Sequence, residues 1–458
     1  MILAVALFME QLDSTVIATS LPAIAADIGS DPIALKLALT SYFVSLAIFI
    51  PISGWMSDRF GARNIFRLAI LVFVLGSIAC AFSNSLPAFV ISRFFQGMGA
   101  SMMTPVGRLV LVRSTPRNEL VSAMAWLTMP ALIGPIMGPP LGGFLTTFLS
   151  WHWIFWINVP VGLAGIAFAT KYLPVVEART PRPMDFVGFV IASVAFSGVV
   201  FGLSVISLPA LPIIYGYLTI AIGIVAALFY LLHARRTQYP LLDPKMFNYP
   251  LFRAAASGGN IFRIGIGAMP FLMPLMLQLG FGYSPFESGM ITFVSAVGAI
   301  LSRFCAEQVF ARFGFRSVLA MGVFLSGIFL AVNGLFTPGT PLWLIMAVLL
   351  MAGIVRATTF TGINAMSFGD IEETDMSQAT AINAVMQQLT QAVGIAVAGA
   401  IIELSSHSHG GGLQLIDFHI AFWIVGLVSA AAAISFLRLA PDAGHQVSGH
   451  RRPALAKE

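Results

Sequence analysis

The chain has 458 residues, of which 58% are hydrophobic and only 9% charged, with a mean hydropathy of +0.90. An ordinary soluble domain is roughly one quarter charged, so a water-soluble globule is excluded. A membrane β-barrel is excluded too, because its strands alternate apolar and polar over about ten residues, whereas the runs here are continuous and about twice that long. The net charge of +5 is scattered singly through short connectors, which argues against a nucleic-acid partner and for a membrane topology with one basic side.

Apolar runs bounded by charge or by Gly, Pro and Asn predict fourteen spans, near 2–24, 36–56, 64–83, 86–110, 119–147, 153–172, 184–206, 211–233, 252–280, 286–307, 317–336, 341–366, 376–403 and 418–438. The first run lacks a basic leader region and carries Glu10 and Asp13, so it reads as a retained span rather than a signal peptide. Cys80 and Cys305 both fall inside apolar runs, which gives no sign of a disulfide framework. An even number of spans places both termini on one side. Connectors after even-numbered spans hold Arg59, Arg63, Arg113, Arg117, Arg179, Arg182, Arg235, Arg236, Lys245, Arg312 and Arg316, while the opposite connectors offer only Lys36. The positive-inside rule then puts the basic side and both termini in the cytoplasm, as for a multi-pass protein of the cell inner membrane.

One connector motif occurs twice. Arg59-Phe60-Gly61-Ala62-Arg63 after span 2 is echoed by Arg312-Phe313-Gly314-Phe315-Arg316 after span 10, which predicts two homologous halves. The fold expected is an all-α polytopic membrane protein: a six-helix bundle over 1–173, two additional transmembrane helices with their linkers over 174–245, a second six-helix bundle over 246–440, and a polar cytoplasmic tail over 441–458 that is expected to be disordered.

Five motifs stand in order on these spans. They are Leu12-Asp13-Ser14-Thr15-Val16 with Leu21-Pro22 in span 1, Gly54 to Arg63 after span 2, Arg93-Phe94-Phe95-Gln96-Gly97-Met98-Gly99 in span 4, Gly134-Pro135 through Gly138-Pro139-Pro140-Leu141-Gly142-Gly143 in span 5, and Trp151 to Pro160 opening span 6. Together they resemble the 14-span drug:proton antiporter branch of the major facilitator superfamily, over essentially the whole chain. The resemblance implies two six-helix bundles plus two helices, alternating access, and an antiporter motif at Gly134, Pro135, Gly138, Pro139, Gly142 and Gly143. It also makes Arg93 the fourth-span arginine implicated in proton coupling. The second loop copy departs from the pattern, with Ala311 where the first has Asp58 and Glu307 where it has Gly54, so a carboxylate latch there would be one-sided.

Glu10 and Asp13 are the carboxylates inside span 1, and an i, i+3 spacing puts them on one helix face, expected to face a cavity. Asp13 lies about 18 Å along the helix at 1.5 Å per residue, near the middle of the hydrocarbon layer. A charge there is costly unless paired or hydrated, and protonation removes the cost, which suits a proton carrier; a structural pair with an arginine is the alternative. Glu10 is shallower and open to either role. Arg93, Arg263 and Arg356 are the deep cations. Arginine cannot carry the proton, but it can pair with a carboxylate or bind an anionic substrate group, and for Arg263 and Arg356 both uses stay open.

Gly54, Asp58, Arg59, Gly61 and Arg63 form the candidate cytoplasmic gate, with solvated topology charges as the plain alternative. Arg263, Arg356, Asn364, Gln387 and Gln391 are the candidate substrate contacts, with interhelical hydrogen bonding as the alternative for the amides. No catalytic residue, metal site or cofactor is expected, and no glycine-rich phosphate loop is present for ATP hydrolysis. The function expected is a proton-coupled antiporter, acting as a monomer, that exports small molecules, amphipathic drugs first, on the proton gradient. The alternative is export of an anionic metabolite such as citrate or a related carboxylate, favoured by three deep arginines against two deep acids.

Overall fold

The computed structural model describes residues 2–114, 134, 137–173, 183–206, 212–372, 375–410 and 412–440, and no strand occurs among them. Eleven helices among the described residues are long and apolar enough to cross a membrane, and they coincide with predicted spans 2, 3 and 6 to 14. Span 4 is a helix of 29 residues, Leu86–Ser114. Span 1 runs as Ile2–Val16, a 3-10 turn Ile17–Ser20, and Leu21–Asp27. Its break has a covalent cause: Pro22 has no N–H to give the carbonyl one turn back, so the α-helical ladder stops there. Most of span 5 lies outside the described residues. The count of fourteen is consistent with this set.

The two loop motifs fold alike. Gly61 has φ 85° and Gly314 has φ 72°, and each interrupts a helix between two arginines. Such backbone is essentially restricted to glycine. This is why both copies of the motif hold glycine at this position.

Two apolar cores belong to the separate halves. One joins Leu3, Leu7, Tyr42, Phe66, Phe73 and Met103, from spans 1 to 4; the other joins Phe262, Phe310, Phe315, Leu319, Ile363 and Phe436. A third and larger cluster sits at the end of the molecule opposite the Asp58 loop and draws on both halves, including Ile17, Leu21, Phe89 and Phe155 with Phe271, Leu275, Ile345 and Phe418. That end is sealed. Span 1 meets span 9 where both are irregular: span 9 contains Pro270 and Pro274, ends in a π turn at Met276–Gly280, and its Gln278 Nε2 donates to the Thr19 carbonyl at 2.9 Å. Span 10 docks on span 5, with the Phe286 N–H donating to Thr147 Oγ1 at 3.1 Å.

Lys36, expected in a connector, is instead the first residue of the span 2 helix and fully buried in the seal. Its stem lies against Gly399 of span 13, and Glu403 and Asp31 are the acidic charges that act on it. The physical reason is that a lysine stem can fill an apolar crevice while its ammonium reaches nearby carboxylates.

The helices Phe186–Ile206 and Ile213–Arg236 pack on each other through glycines at 198, 202, 216 and 223, where a Cβ would collide with the facing helix. The first of them covers the seam between the halves: Val200 buries against Val44 and Ile48 of span 2 and Ala392 of span 13. The second presents mostly exposed apolar side chains, as expected for a surface facing lipid.

Candidate functional site

Span 4 reaches the middle of the first half because its glycines permit it. A Cβ at Gly97 would strike the Tyr42 carbonyl, and one at Gly99 would strike the Phe73 backbone, so these positions let span 4 touch spans 2 and 3 backbone to backbone. Arg93, one turn away, then enters the bundle interior. Its Nη1 meets Asp13 Oδ2 at 2.8 Å, and both side chains are essentially without solvent exposure. The guanidinium also lies over the Tyr42 ring at 4.3 Å.

The carboxylate has further partners. Asp13 Oδ1 accepts from Gln96 Nε2 at 2.8 Å and from Asn158 Nδ2 at 2.9 Å, and Asn158 donates in addition to Ser77 Oγ at 3.0 Å. Spans 1, 2, 3, 4 and 6 therefore converge on one buried charge pair. An ion pair in such a place is favoured when its remaining hydrogen-bonding capacity is satisfied; here both carboxylate oxygens accept, while Arg93 Nε is buried without a hydrogen-bond partner.

Glu10 does something else. Its Oε2 accepts from Thr104 Oγ1 at 2.7 Å, and its side chain lines a cavity of about 560 Å³ that lies at the Asp58 end, between the halves. Ser53, Gly54, Ser101 and Arg108 stand on the same wall, and Thr380, Gln387 and Gln388 of span 13 stand opposite. The shared face expected for Glu10 and Asp13 is thus divided: Asp13 is turned into the bundle, and Glu10 into the cavity. The division follows from helix geometry, since an i, i+3 pair is offset around the axis as well as along it.

Arg263 and Arg356 have only neutral polar partners among the described residues. Arg263 Nη2 donates to Asn364 Oδ1 at 2.8 Å and Nη1 to Asn260 Oδ1 at 3.4 Å, with Phe360 under the guanidinium at 5.5 Å. Asn364 is therefore an orienting partner of Arg263. Arg356 donates to Ser295 Oγ at 3.1 Å and lines a second cavity of about 360 Å³ together with Thr15, Thr19, Met269, Met273 and Thr361. Gln387 lines the first cavity, whereas Gln391 turns back on its own helix, donating to the Gln387 carbonyl and to Gln388 Oε1, both at 3.4 Å.

At the Asp58 loop, Gly54 borders the first cavity, Asp58 is half-buried and Arg59 exposed. The Arg63 guanidinium donates to the Thr170 carbonyl near the end of span 6, which ties the loop to its own half. In span 5, a Cβ at Gly134, Gly138 or Gly142 would collide with span 1 near Gln11, Thr15 and Val16 respectively, and one at Gly143 with Pro285 of span 10. The Pro139 carbonyl in turn closes on Gly289 of span 10. The glycine repeat of four residues is a packing face against span 1, and the adjacent positions hold the second half. Pro135 lies outside the described residues.

Gln96, Asn158, Thr104 and Arg108 were not singled out by sequence reasoning. Gln96 and Asn158 fall within quoted motifs, but a neutral amide inside an apolar run carries no signal of its own. Among the described residues no group of three or more His, Cys, Asp or Glu could hold a metal ion.

The sequence model described as Major Facilitator Superfamily matches residues 3–269 and again 254–457. The chain belongs to this superfamily. The model thus matches twice along the chain, and each match contains one copy of the echoed loop motif. The protein named multidrug resistance protein MdtD in Pectobacterium atrosepticum is 37% identical over 96% of this chain and 95% of its own length, and the MdtD protein of Escherichia coli K12 is 34% identical over 100% and 97%. Among solved structures, a D-xylose-proton symporter superposes with a TM-score of 0.68 at 16% identity, covering 97% of this chain and 98% of that one. A peptide transporter bound to sulfate gives 0.71 at 14% identity, covering 98% and 95%. Likeness at that identity is a likeness of fold. The protein is accordingly a secondary transporter of small molecules with a multi-pass membrane fold, and not an enzyme.

The pair at the centre makes one prediction about stability. Arg93→Ala strands a buried carboxylate and should cost about 3–5 kcal/mol. The double variant Arg93→Ala/Asp13→Asn should recover a large part of that loss, measured by thermal unfolding of the purified protein. A double variant no more stable than Arg93→Ala would show that the pair is not what holds these spans together.

Proposed function

We propose that this transporter is a proton-driven antiporter that exports small amphipathic molecules across the cytoplasmic membrane by alternating access, with its Asp58 end and both termini in the cytoplasm. The observation that carries the reading is the juxtaposition of Asp13, paired inside the first half, with a cavity walled by Glu10 that lies between the halves while the far end is sealed. A carboxylate that can lose its arginine and take a proton supplies the coupling, and the cavity supplies the substrate site. The names of the MdtD relatives support a multidrug role. The scattered basic residues at the Asp58 end support its cytoplasmic placement. No cofactor enters the scheme; the driving force is the proton gradient.

A cation would find Glu10 on the cavity wall. The second reading, export of an anionic carboxylate such as citrate, is favoured by Arg356, which stands in a mostly apolar cavity with Thr15, Thr19, Thr292, Ser295 and Thr361 and has no carboxylate beside it among the described residues. Substrate-induced proton release from the purified protein, screened over cationic dyes and over di- and tricarboxylates, separates the two.

Asp13→Asn should reduce gradient-driven export to background while leaving substrate exchange, because the amide imitates the protonated acid but releases no proton. Glu10→Gln should hurt less. Export by Asp13→Asn with unchanged proton stoichiometry would move the proton site elsewhere, Glu10 first.

In the state closed at the Asp58 end, Asp58 with Arg59 and Arg63 acts as the latch between the halves, and Gly54 and Gly61 allow the close approach it needs. Asp58→Asn should lose most transport yet change stability by only about 0.5 kcal/mol, as for an ordinary surface position. Undiminished transport would leave the loop with a topological role alone.

Orientation is checked separately, in a background with both cysteines replaced. Ser408→Cys should react with an impermeant thiol reagent in intact cells, and Arg236→Cys should not. The opposite pattern would invert the topology.

A further inference from the structure

The cavity at the Asp58 end holds two opposite charges that do not satisfy each other. Glu10 is only 7% exposed; its Oε2 accepts from Thr104 Oγ1 at 2.7 Å, while Oε1 has no hydrogen-bond partner among the described residues. An enclosed carboxylate oxygen without a donor is costly, so the wall lacks a donor at this point. Arg108 follows Thr104 on the same helix, four residues and about 6 Å nearer the Asp58 end. It makes no hydrogen bond or ion pair with a described residue. Its charge acts on Glu10, yet the two side chains do not touch.

Among the described residues these are the one carboxylate and the one guanidinium on the cavity wall, and the remaining lining is neutral. It divides into hydroxyls and amides, such as Ser101, Thr380 and Gln388, and an apolar part that includes Ile50, Val106, Leu109 and Ala384. The volume of about 560 Å³ has room for a drug-sized molecule. A substrate with a positive charge alone would gain at Glu10 but be repelled by Arg108, and one with a negative charge alone would gain at Arg108 but be repelled by Glu10. Either would leave one wall charge unanswered. A molecule that carries both charges answers both and adds no net charge to a poorly hydrated space.

We infer that this cavity takes a zwitterion with an apolar body: an ammonium group that donates to Glu10 Oε1, and a carboxylate about one helical turn away that accepts from Arg108. The frame between the two charges lies along Ile50, Val106, Leu109 and Ala384. The ammonium end enters first, because Glu10 is the deeper of the two wall charges. This rests on the reading of the cavity as the substrate site, and it narrows that reading, since a cation or an anion of the same shape forfeits one of the two charge-assisted contacts. Arg108 is thereby a specificity-determining residue, and Glu10 binds substrate.

The test compares three probes built on one ring: para-(aminomethyl)benzoate, its methyl ester, which is only a cation, and its N-acetyl derivative, which is only an anion. Their binding to the purified full-length protein is measured by isothermal titration calorimetry. The zwitterion should bind about tenfold or more tighter than either relative, the worth of one hydrogen bond between charged groups. This comparison uses the wild-type chain, so it does not depend on how any variant folds. Glu10→Gln should then erase the advantage of the zwitterion over the N-acetyl compound, and Arg108→Gln its advantage over the ester. A zwitterion that fails to bind, or binds no tighter than the ester, overturns the inference; if the ester still depends on Glu10, the cavity remains a cation site as proposed above. Binding of all three probes that is indifferent to both substitutions moves the substrate site out of this cavity and overturns both readings.

Discussion

A carboxylate buried in the middle of a membrane has to be answered by the protein around it, and most of the first half can be read as that answer. Asp13 on span 1 draws Arg93 and Gln96 from span 4 and Asn158 from span 6, and Asn158 in turn fixes Ser77 on span 3. Hydrogen bonds between transmembrane helices are individually modest, but a charge left unanswered in this position costs several times more. The network therefore constrains where four spans can sit. Glycine provides the means, since Gly97 and Gly99 bring span 4 close enough for its side chains to reach.

Among the described residues the second half has no counterpart. Its deep cations, Arg263 and Arg356, are met by amides and hydroxyls among the described residues. Two halves that each carry one copy of the loop motif thus differ in electrostatic content: the first encloses a neutralised pair, while the second keeps guanidinium groups met, among the described residues, by neutral side chains.

The ends of the molecule differ as well. At the Lys36 end, the apolar cluster shared by both halves, the irregular turns of spans 1 and 9, and the contact of span 5 with span 10 make a continuous seal. At the Asp58 end the halves separate around the cavity lined by Glu10, Gln387 and Gln388. The glycine repeat of span 5 belongs to both arrangements. One side of it, at 134, 138 and 142, is locked to span 1, and the other, at 143, carries the second half, so movement of one half against the other must pass over this face.

What the sequence determined by itself is the part that depends on solvent and on local covalent structure. Hydropathy set the spans, because a helix in lipid has to be apolar for about 20 residues. The loop echo Arg59 to Arg63 and Arg312 to Arg316 set the two halves, because both glycines are required by backbone that other residues rarely adopt. The motif resemblance singled out Arg93, and the cost of a charge at mid-membrane depth singled out Asp13; the structure brings the two side chains together. The tertiary structure alone decided which polar groups meet. Glu10 and Asp13 lie three residues apart yet face different surroundings, and nothing local distinguishes them. Lys36 reads as a connector charge and is instead enclosed between span 2 and span 13. Gln96 and Asn158 are ordinary amides until the packing of spans 3, 4 and 6 turns their nitrogens toward one carboxylate. Hydrogen bonds are short and directional, so their partners are fixed by distances across the bundle, and a linear pattern of hydropathy carries no such distances.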